Sequence, residues 1–195
     1  LACLMVSDET FSHNESSDNP ASPHASLTIT SCSRIAFAQR ILTFGGISVH
    51  SSTVINDGKA FMFMGKSGTG KSTHSQLWIK NIPGTELMND DNPVIRVYDD
   101  RVIAYGTPWS GKTACYRNIS GPAQAIVRLY QAPSNEITIL EDADALMQIM
   151  PGCSCVHKAG NLGDLMVDNL VSALPHIKVA ALKCLPDDAA AELCY

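Results

Sequence analysis

The clearest chemistry in this sequence lies in eight residues, Gly65-Lys66-Ser67-Gly68-Thr69-Gly70-Lys71-Ser72, which fit the phosphate-binding pattern G-x-x-x-x-G-K-[ST]. The glycines let the backbone wrap closely around phosphate, including in conformations with positive φ. The backbone N–H groups then point inward at a helix N-terminus and bind an anion. An ordinary glycine-rich turn is the alternative, but the apolar run before the loop and the helical pattern after it favour nucleotide binding.

Each residue type in the loop has an expected task. Lys71 should reach the β- and γ-phosphates, and the Ser72 hydroxyl should bind Mg²⁺. The predicted nucleotide-binding residues are Gly65, Ser67, Gly68, Thr69, Gly70, Lys71, Ser72 and Thr73.

Two adjacent carboxylates, Asp90 and Asp91, follow a short apolar stretch and begin 19 residues after Lys71. A phosphate-binding loop that works on Mg²⁺ nucleotides needs a carboxylate at the end of a neighbouring strand. Two carboxylates can divide the work, because one binds the metal while the other accepts the proton of an attacking hydroxyl. The alternative is a polar turn ending at Pro93. The pair Asp99-Asp100, by contrast, lies between two apolar runs and is typical of a hairpin turn.

The elements around these residues follow from hydrophobic periodicity. Residues 26–31 alternate like a strand, and Arg34 to Phe44 show helical spacing that stops at Gly45-Gly46. A strand over 47–55 and a second strand over 59–64 are joined by the turn Asn56-Asp57-Gly58. The loop therefore follows a strand that is itself half of a hairpin, and a helix over 71–82 follows the loop.

Further along the chain, hairpins outnumber parallel units. A short strand precedes the two acids, residues 94–106 predict a second hairpin, and residues 125–130 and 136–140 predict a third. Helices are predicted over 141–150, 164–174 and 187–194, with a strand between the last two. These elements predict an α/β fold with a mixed, hairpin-rich sheet. Residues 1–33 form a polar N-terminal segment, partly mobile or left from a preceding region, and residues 34–195 form the phosphate-binding domain.

Composition excludes several classes of protein. The net charge of −5 gives no electrostatic reason to expect nucleic acid or an anionic membrane surface as partner. No apolar stretch is long enough to span a bilayer, and no signal peptide is recognisable, which favours the cytoplasm. The seven cysteines are then expected to be free thiols. Cys153 and Cys155 form the only close pair, for which buried or inert thiols are favoured over a metal or redox role.

Taken together, "HSSTVINDGKAFMFMGKSGTGKST" and the following "NDD" resemble the catalytic domain of HPr kinase/phosphorylase and, more distantly, the nucleotide-binding part of phosphoenolpyruvate carboxykinase. The segments "GGISVHSS", "GKSGTGKSTHSQLW", "NDDNPVIR", "YGTPWSGK" and "KCLPDDAA" are similar to bacterial HPr-kinase-related proteins. The resemblance covers roughly Arg34 to Tyr195. It implies a sheet of the HPr kinase/phosphoenolpyruvate carboxykinase type.

The resemblance also implies roles for particular residues. In the HPr kinase family, the paired acids act as general base and metal ligand. The resemblance therefore assigns Asp90 as the base, and Asp91 together with Ser72 as the Mg²⁺ ligands. A His on the strand before the loop partners the catalytic acid, and His50 occupies that position. The spacing of His50, between apolar neighbours, by itself favours a packed residue, so its catalytic role rests on the resemblance. The predicted catalytic residues are thus Asp90, His50 and Lys71.

One segment departs from the family. The glycine- and isoleucine-rich signature after the acids is absent, and "YGTPWSGKTACYRN" (105–118) stands in its neighbourhood. Trp109, Lys112 and Arg117 give this loop stacking and anion-pairing capacity, which favours a substrate or phosphate contact. The alternative is a structural loop with Trp109 as a core plug. Because the signature is missing, HPr itself is not expected as substrate.

These observations predict a Mg²⁺- and ATP-dependent kinase that phosphorylates a hydroxyl, such as a serine of a protein or peptide, or free serine. Arg117 or Arg128 would supply the cation that steadies the transferred phosphoryl group. The alternative function is an ATP-binding sensor or scaffold without phosphotransfer, although such a module does not need a second carboxylate. HPr kinases assemble as hexamers, so the resemblance also implies a homo-oligomer.

Overall fold

The computed structural model describes residues 23–111, 113–156 and 160–195. The α-helices in these ranges are α1 (Pro23–Leu42), α2 (Lys71–Asn81), α3 (Asp142–Ile149), α4 (Leu162–Ala173) and α5 (Asp188–Cys194). The strands are β1 (Gly46–Ser48), β2 (Ser51–Asn56), β3 (Lys59–Met64), β4 (Glu86–Asn89), β5 (Val94–Val97), β6 (Val102–Tyr105), β7 (Ser120–Gln131), β8 (Glu136–Leu140) and β9 (Lys178–Cys184). No helix within the described ranges is both long and apolar enough to cross a membrane.

The predicted α/β fold with a mixed, hairpin-rich sheet is confirmed. The strands follow the order β1-β5-β6-β7-β3-β2-β4, with β9 beside β7 and β8 beside β9. The pairs β3–β7 and β7–β9 are parallel, and the other pairs are antiparallel. Two apolar clusters form the core; one includes Met62, Ile126 and Met166, and the other includes Phe63 and Trp78.

The sheet curls because residues 46–56 run antiparallel beside residues 86–97 along most of their length. β1 pairs with β5, and β2 pairs with β4. Between these pairs, the Val49 amide donates to the Pro93 carbonyl at 3.0 Å and the Ser51 amide donates to the Asp91 carbonyl at 3.1 Å. The predicted single strand over 47–55 is therefore two strands. It breaks at His50, whose amide donates to the carbonyl of Gly152 at 2.7 Å.

Two of the three predicted hairpins are confirmed. The β2–β3 turn has positive φ at both central residues, 47° at Asp57 and 72° at Gly58, as the favoured two-residue turn requires. β5 and β6 also form the predicted antiparallel pair. The third hairpin is wrong, because β9 lies between β7 and β8 and pairs with both. β9 buries apolar side chains and suits the inner position, while the mostly exposed β8 suits the edge.

The predicted strand over residues 26–31 is also wrong, since these residues belong to helix α1. The alternation there continues without a breaker into the helical pattern that buries Ala38 and Leu42, and Pro23 stands at the first helical position, where proline is favoured. Residues 1–22 lie outside the described residues, so the division into a polar segment 1–33 and a domain 34–195 stays a prediction.

Candidate active site

The sheet brings the ends of four strands to one edge. Ser51 at the start of β2 pairs with Met64 at the end of β3, and Thr53 pairs with Asn89 at the end of β4. On the other side of β3, Met64 pairs with Arg128 of β7. Because β2 runs antiparallel to both β3 and β4, its beginning meets their ends. The phosphate-binding loop after β3 therefore lies between the acids after β4 and the arginine on β7.

The loop between β3 and α2 has the backbone that its glycines predict. The φ angles of Gly68 and Gly70 are 81° and 106°, in the left-handed region that favours glycine. Glycine suits position 65 for a different reason, because a Cβ there would lie 3.1 Å from the Cβ of Thr69. Gly70 precedes α2 and gives it no side-chain cap, so the first N–H groups of the helix are available for an anion.

Lys71 begins α2, and its ammonium folds back over the loop. The Nζ atom donates to the Gly65 carbonyl at 3.1 Å. Burial lowers the pKa of Lys71, while the charges of Asp91 and Asp90 act in the opposite direction and favour the ammonium. Ser72 follows in the same turn and is partly buried, whereas Ser67 and Thr73 are exposed. The Lys71 ammonium thus lies against the loop backbone and interacts electrostatically with both acids.

Asp90 is almost completely buried, with 5% of its surface exposed. Its Oδ1 accepts a hydrogen bond from the Ser52 hydroxyl at 2.7 Å, and its Oδ2 accepts one from the Thr113 amide at 3.3 Å. The Ser75 hydroxyl, on α2, donates in turn to the Ser52 hydroxyl at 2.7 Å. A chain of two hydroxyls therefore links the helix after the loop to this carboxylate.

Asp91 is more exposed and interacts with His50. The Nδ1 atom of His50 lies 3.1 Å from Oδ1 of Asp91, and the Arg34 guanidinium lies 3.7 Å from Oδ2. Asn92 also donates to Oδ2. The hydrogen bond from His50 lowers the pKa of Asp91 most strongly; the charges of His50 and Arg34 add to this, and burial opposes it. Asp91 is therefore held as an anion.

The expected contact between His50 and Asp90 is corrected by this arrangement. The pairing of Thr53 with Asn89, together with the bond from the Ser51 amide to the Asp91 carbonyl, brings Ser52 opposite Asp90. Ser52 thus takes the position expected for the histidine, and His50, just before the strand, reaches the next acid. Sequence reasoning missed Ser52 and Ser75; the signal available for Ser75 was its position one turn after Ser72.

The loop over residues 105–118 frames the two acids. The Asn89 side chain donates to the Trp109 carbonyl at 2.9 Å, and the Gly111 amide donates to the Asp90 carbonyl at 3.1 Å. Trp109 is partly exposed and packs against Phe37 of α1 in a tilted arrangement, with ring centroids 5.0 Å apart, so it is not a core plug. Lys112 lies outside the described residues. The loop therefore supports the two acids through these hydrogen bonds and also forms a surface beside them.

The two candidate arginines occupy different places. Arg117 is 2.7 Å from the Glu86 carboxylate and donates to the Leu87 carbonyl at 2.9 Å, which ties it to β4. Arg128 lines a pocket of about 340 Å³ between the loop residues 66–69 and the end of β7. Within the same pocket wall, Gln131 donates to the Gly68 carbonyl at 3.3 Å. Of the two, Arg128 is the one beside the phosphate-binding loop.

The cysteines in the described ranges are free thiols, and Cys3 lies outside them. Burial raises the pKa of Cys153 to about 12, and burial also raises the pKa of Cys155. Both therefore stay protonated, as the inert-thiol interpretation requires. Among the described residues, no group of three or more His, Cys, Asp or Glu side chains is placed to hold a metal ion.

Comparison with known proteins finds a weak structural similarity. No protein-family model matches the chain, and no curated protein matches it. Among solved structures, the chain is similar to the Hpr(Ser) kinase/phosphatase from Coxiella burnetii, with 12% sequence identity and a TM-score of 0.39. The match covers 75% of this chain and 90% of that one. The function of the chain therefore has to be inferred from its own site.

Proposed function

We propose that this chain is a Mg²⁺- and ATP-dependent phosphotransferase that moves the γ-phosphoryl group to a hydroxyl, in particular a serine hydroxyl. The observation that supports this most is the meeting of a phosphate-binding loop with two adjacent carboxylates that have different partners. Asp90 is buried and bonded to hydroxyl and amide donors, while Asp91 is more exposed and ion-paired. A protein that only binds nucleotide has no use for the second acid.

The residues present suit Mg²⁺. Ser72 and Asp91 offer oxygen donors, which this cation prefers, and nucleotide sites need only one or two protein ligands. The pKa of Asp91 is lowered chiefly by His50, so the carboxylate is available in its charged form. His50 then orients the metal ligand, as outer-shell partners commonly do. When bound, Mg²⁺ supplies charge neutralisation at the β- and γ-phosphates.

The transfer itself requires the other residues. Lys71 and the loop amides bind the phosphates, and Arg128 offers a cation to the moving phosphoryl group from the β7 side. The acceptor oxygen bonds to the γ-phosphorus while the bond to the ADP oxygen breaks, and Asp90 accepts the hydroxyl proton. Ser52 holds Asp90 in place through its 2.7 Å hydrogen bond. Asp90 is thus the proposed base, with Ser52 rather than His50 as its positioning partner.

The test is incubation of the purified chain with Mg²⁺, γ-labelled ATP and a cell extract fractionated into proteins, peptides and metabolites. We expect label in a hydroxyl-bearing acceptor and none with Lys71→Ala, which removes the phosphate-binding ammonium. Slow release of labelled phosphate without a labelled acceptor would instead support an ATP-binding sensor and contradict phosphotransfer.

A further inference from the structure

Helix α1 presents a cationic and aromatic surface next to the proposed base and metal ligand. Arg34, Phe37, Arg40 and Phe44 follow each other at helical spacing, and we call them, with Trp109, the α1 surface. Phe37 is 36% exposed and Phe44 is 54% exposed. Arg40 lies over the Phe44 ring, at 4.8 Å. Exposed aromatic rings with interspersed cations are typical of a binding surface.

This surface is continuous with the site. Arg34 lies 3.7 Å from Asp91, and Phe37 packs against Trp109 of the loop that frames both acids. Residues 23–44 contain two arginines and no Asp or Glu, although the chain as a whole has a net charge of −5. A segment lying on the α1 surface would therefore need acidic and apolar side chains, and it would pass directly beside the acids.

The residues that precede α1 have this chemistry. Residues 1–22 contain four acidic side chains (Asp8, Glu9, Glu15 and Asp18) and no Lys or Arg, so they account for −4 of the net charge of −5. They also contain Leu4, Met5, Val6 and Phe11, which could cover the aromatic rings. Between these groups stand hydroxyls that could accept phosphate, at Ser7, Thr10, Ser12, Ser16 and Ser17.

The number of residues between each hydroxyl and Pro23 limits how far along α1 that hydroxyl can reach. From Pro23 to Arg34 the helix rises about 17 Å, at about 1.5 Å per residue. An extended chain covers about 3.3–3.6 Å per residue. Ser17 is six residues before Pro23 and reaches about 20 Å, while Ser12 reaches about 36 Å. Ser12, Ser16 and Ser17 are the serines nearest Pro23 whose reach exceeds about 17 Å, whereas Ser22, one residue before Pro23, reaches only about 3.3–3.6 Å.

From this charge match and this reach we infer that residues 1–22 bind the α1 surface of the same chain, and that Ser12, Ser16 or Ser17 is a phosphate acceptor. The inference rests on the proposed phosphotransferase function. The serine Oγ bonds to the γ-phosphorus of ATP, the bond to the ADP oxygen breaks, the proton passes to Asp90, and ADP leaves. Tethering keeps the acceptor at an effective concentration of about the millimolar range, which favours transfer within one chain.

The test uses the full chain with Mg²⁺ and ATP. Intact mass and peptide mapping should find phosphate on residues 12–17, with a rate constant that does not change with protein concentration. The triple variant Ser12→Ala, Ser16→Ala, Ser17→Ala should lose this phosphate, whereas the matched control Ser22→Ala should keep it. Arg40→Glu, which reverses an exposed charge outside the site, should slow the modification by about 2- to 5-fold at low salt.

The outcomes separate the two proposals. If added proteins or free serine become labelled while residues 12–17 stay unmodified, this inference is wrong and the proposed function stands. A rate constant proportional to protein concentration overturns binding within one chain. If ATP binds but no acceptor of any kind is labelled, the proposed function fails and this inference fails with it.

Discussion

Replacing Ser52 by alanine tests the part of the site that the sequence did not indicate. The Ser52 hydroxyl donates to Oδ1 of Asp90 at 2.7 Å and accepts from the Ser75 hydroxyl at 2.7 Å. All three side chains are buried, with at most 5% of each residue exposed. The substitution therefore removes two hydrogen bonds and leaves a buried carboxylate oxygen and a buried hydroxyl with fewer partners.

The magnitude follows from these two bonds. A hydrogen bond to a charged group contributes about 1.5–3 kcal/mol, and a bond between neutral groups contributes about 1 kcal/mol. We therefore expect Ser52→Ala to lower the free energy of unfolding by about 2.5–4 kcal/mol. Because Asp90 also loses its orientation, the rate of phosphotransfer should fall by roughly 10- to 100-fold.

The matched control is Ser51→Ala. Ser51 is equally buried and adjacent in sequence, but its hydroxyl bonds to the Thr53 hydroxyl at 3.1 Å, and within the described part of the chain it makes no hydrogen bond to an acid. Its loss should cost about 1 kcal/mol and leave phosphotransfer near the wild-type rate. Urea unfolding gives the stabilities, and transfer of γ-labelled phosphate gives the rates. If both variants lose the same stability and neither changes the rate of transfer, the hydroxyl chain does not position Asp90.

Three further outcomes are expected. Burial lowers the pKa of His74 from 6.5 to about 4, so only the unfolded state takes up this proton between those pH values. This group should therefore leave the free energy of unfolding unchanged above pH 6.5 and lower it by up to about 3 kcal/mol towards pH 4. Urea unfolding should find a much smaller decrease in the His74→Leu variant. Arg128→Ala should slow phosphotransfer by at least about 10-fold, while Arg117→Ala should act mainly on thermal stability; equal effects on transfer would contradict the choice of Arg128. A Cβ at Gly111 would lie 2.5 Å from the Asp90 carbonyl, so Gly111→Ala should cost about 1–3 kcal/mol of stability, and an unchanged melting temperature would contradict the close approach.

Some features of the site could be predicted because local sequence determines them. The positive φ angles at Gly68 and Gly70 follow from a glycine pattern eight residues long, and the β2–β3 turn follows from Asp57-Gly58. The placement of the two acids after a short strand was also local. These features do not depend on which strands pair in the folded sheet.

Other features depend on pairing between distant residues. Ser52 meets Asp90 only because β2 pairs with β4 in one register, and a shift by one residue would present other side chains. The bond from His50 to Gly152 likewise joins segments about a hundred residues apart and moves the histidine to Asp91. The position of β9 between β7 and β8 was missed for the same reason, since a short loop favours a hairpin only when no better-buried strand competes.

The proposed division of work between the two carboxylates can be measured by comparing two variants. Binding of ATP at graded Mg²⁺ concentrations and transfer of labelled phosphate should be measured side by side for Asp90→Asn and Asp91→Asn. Asp90→Asn should bind Mg²⁺ and ATP with near wild-type affinity and transfer no phosphate, whereas Asp91→Asn should lose the Mg²⁺-dependent part of the affinity. Phosphotransfer by Asp90→Asn at the wild-type rate would rule out Asp90 as the general base.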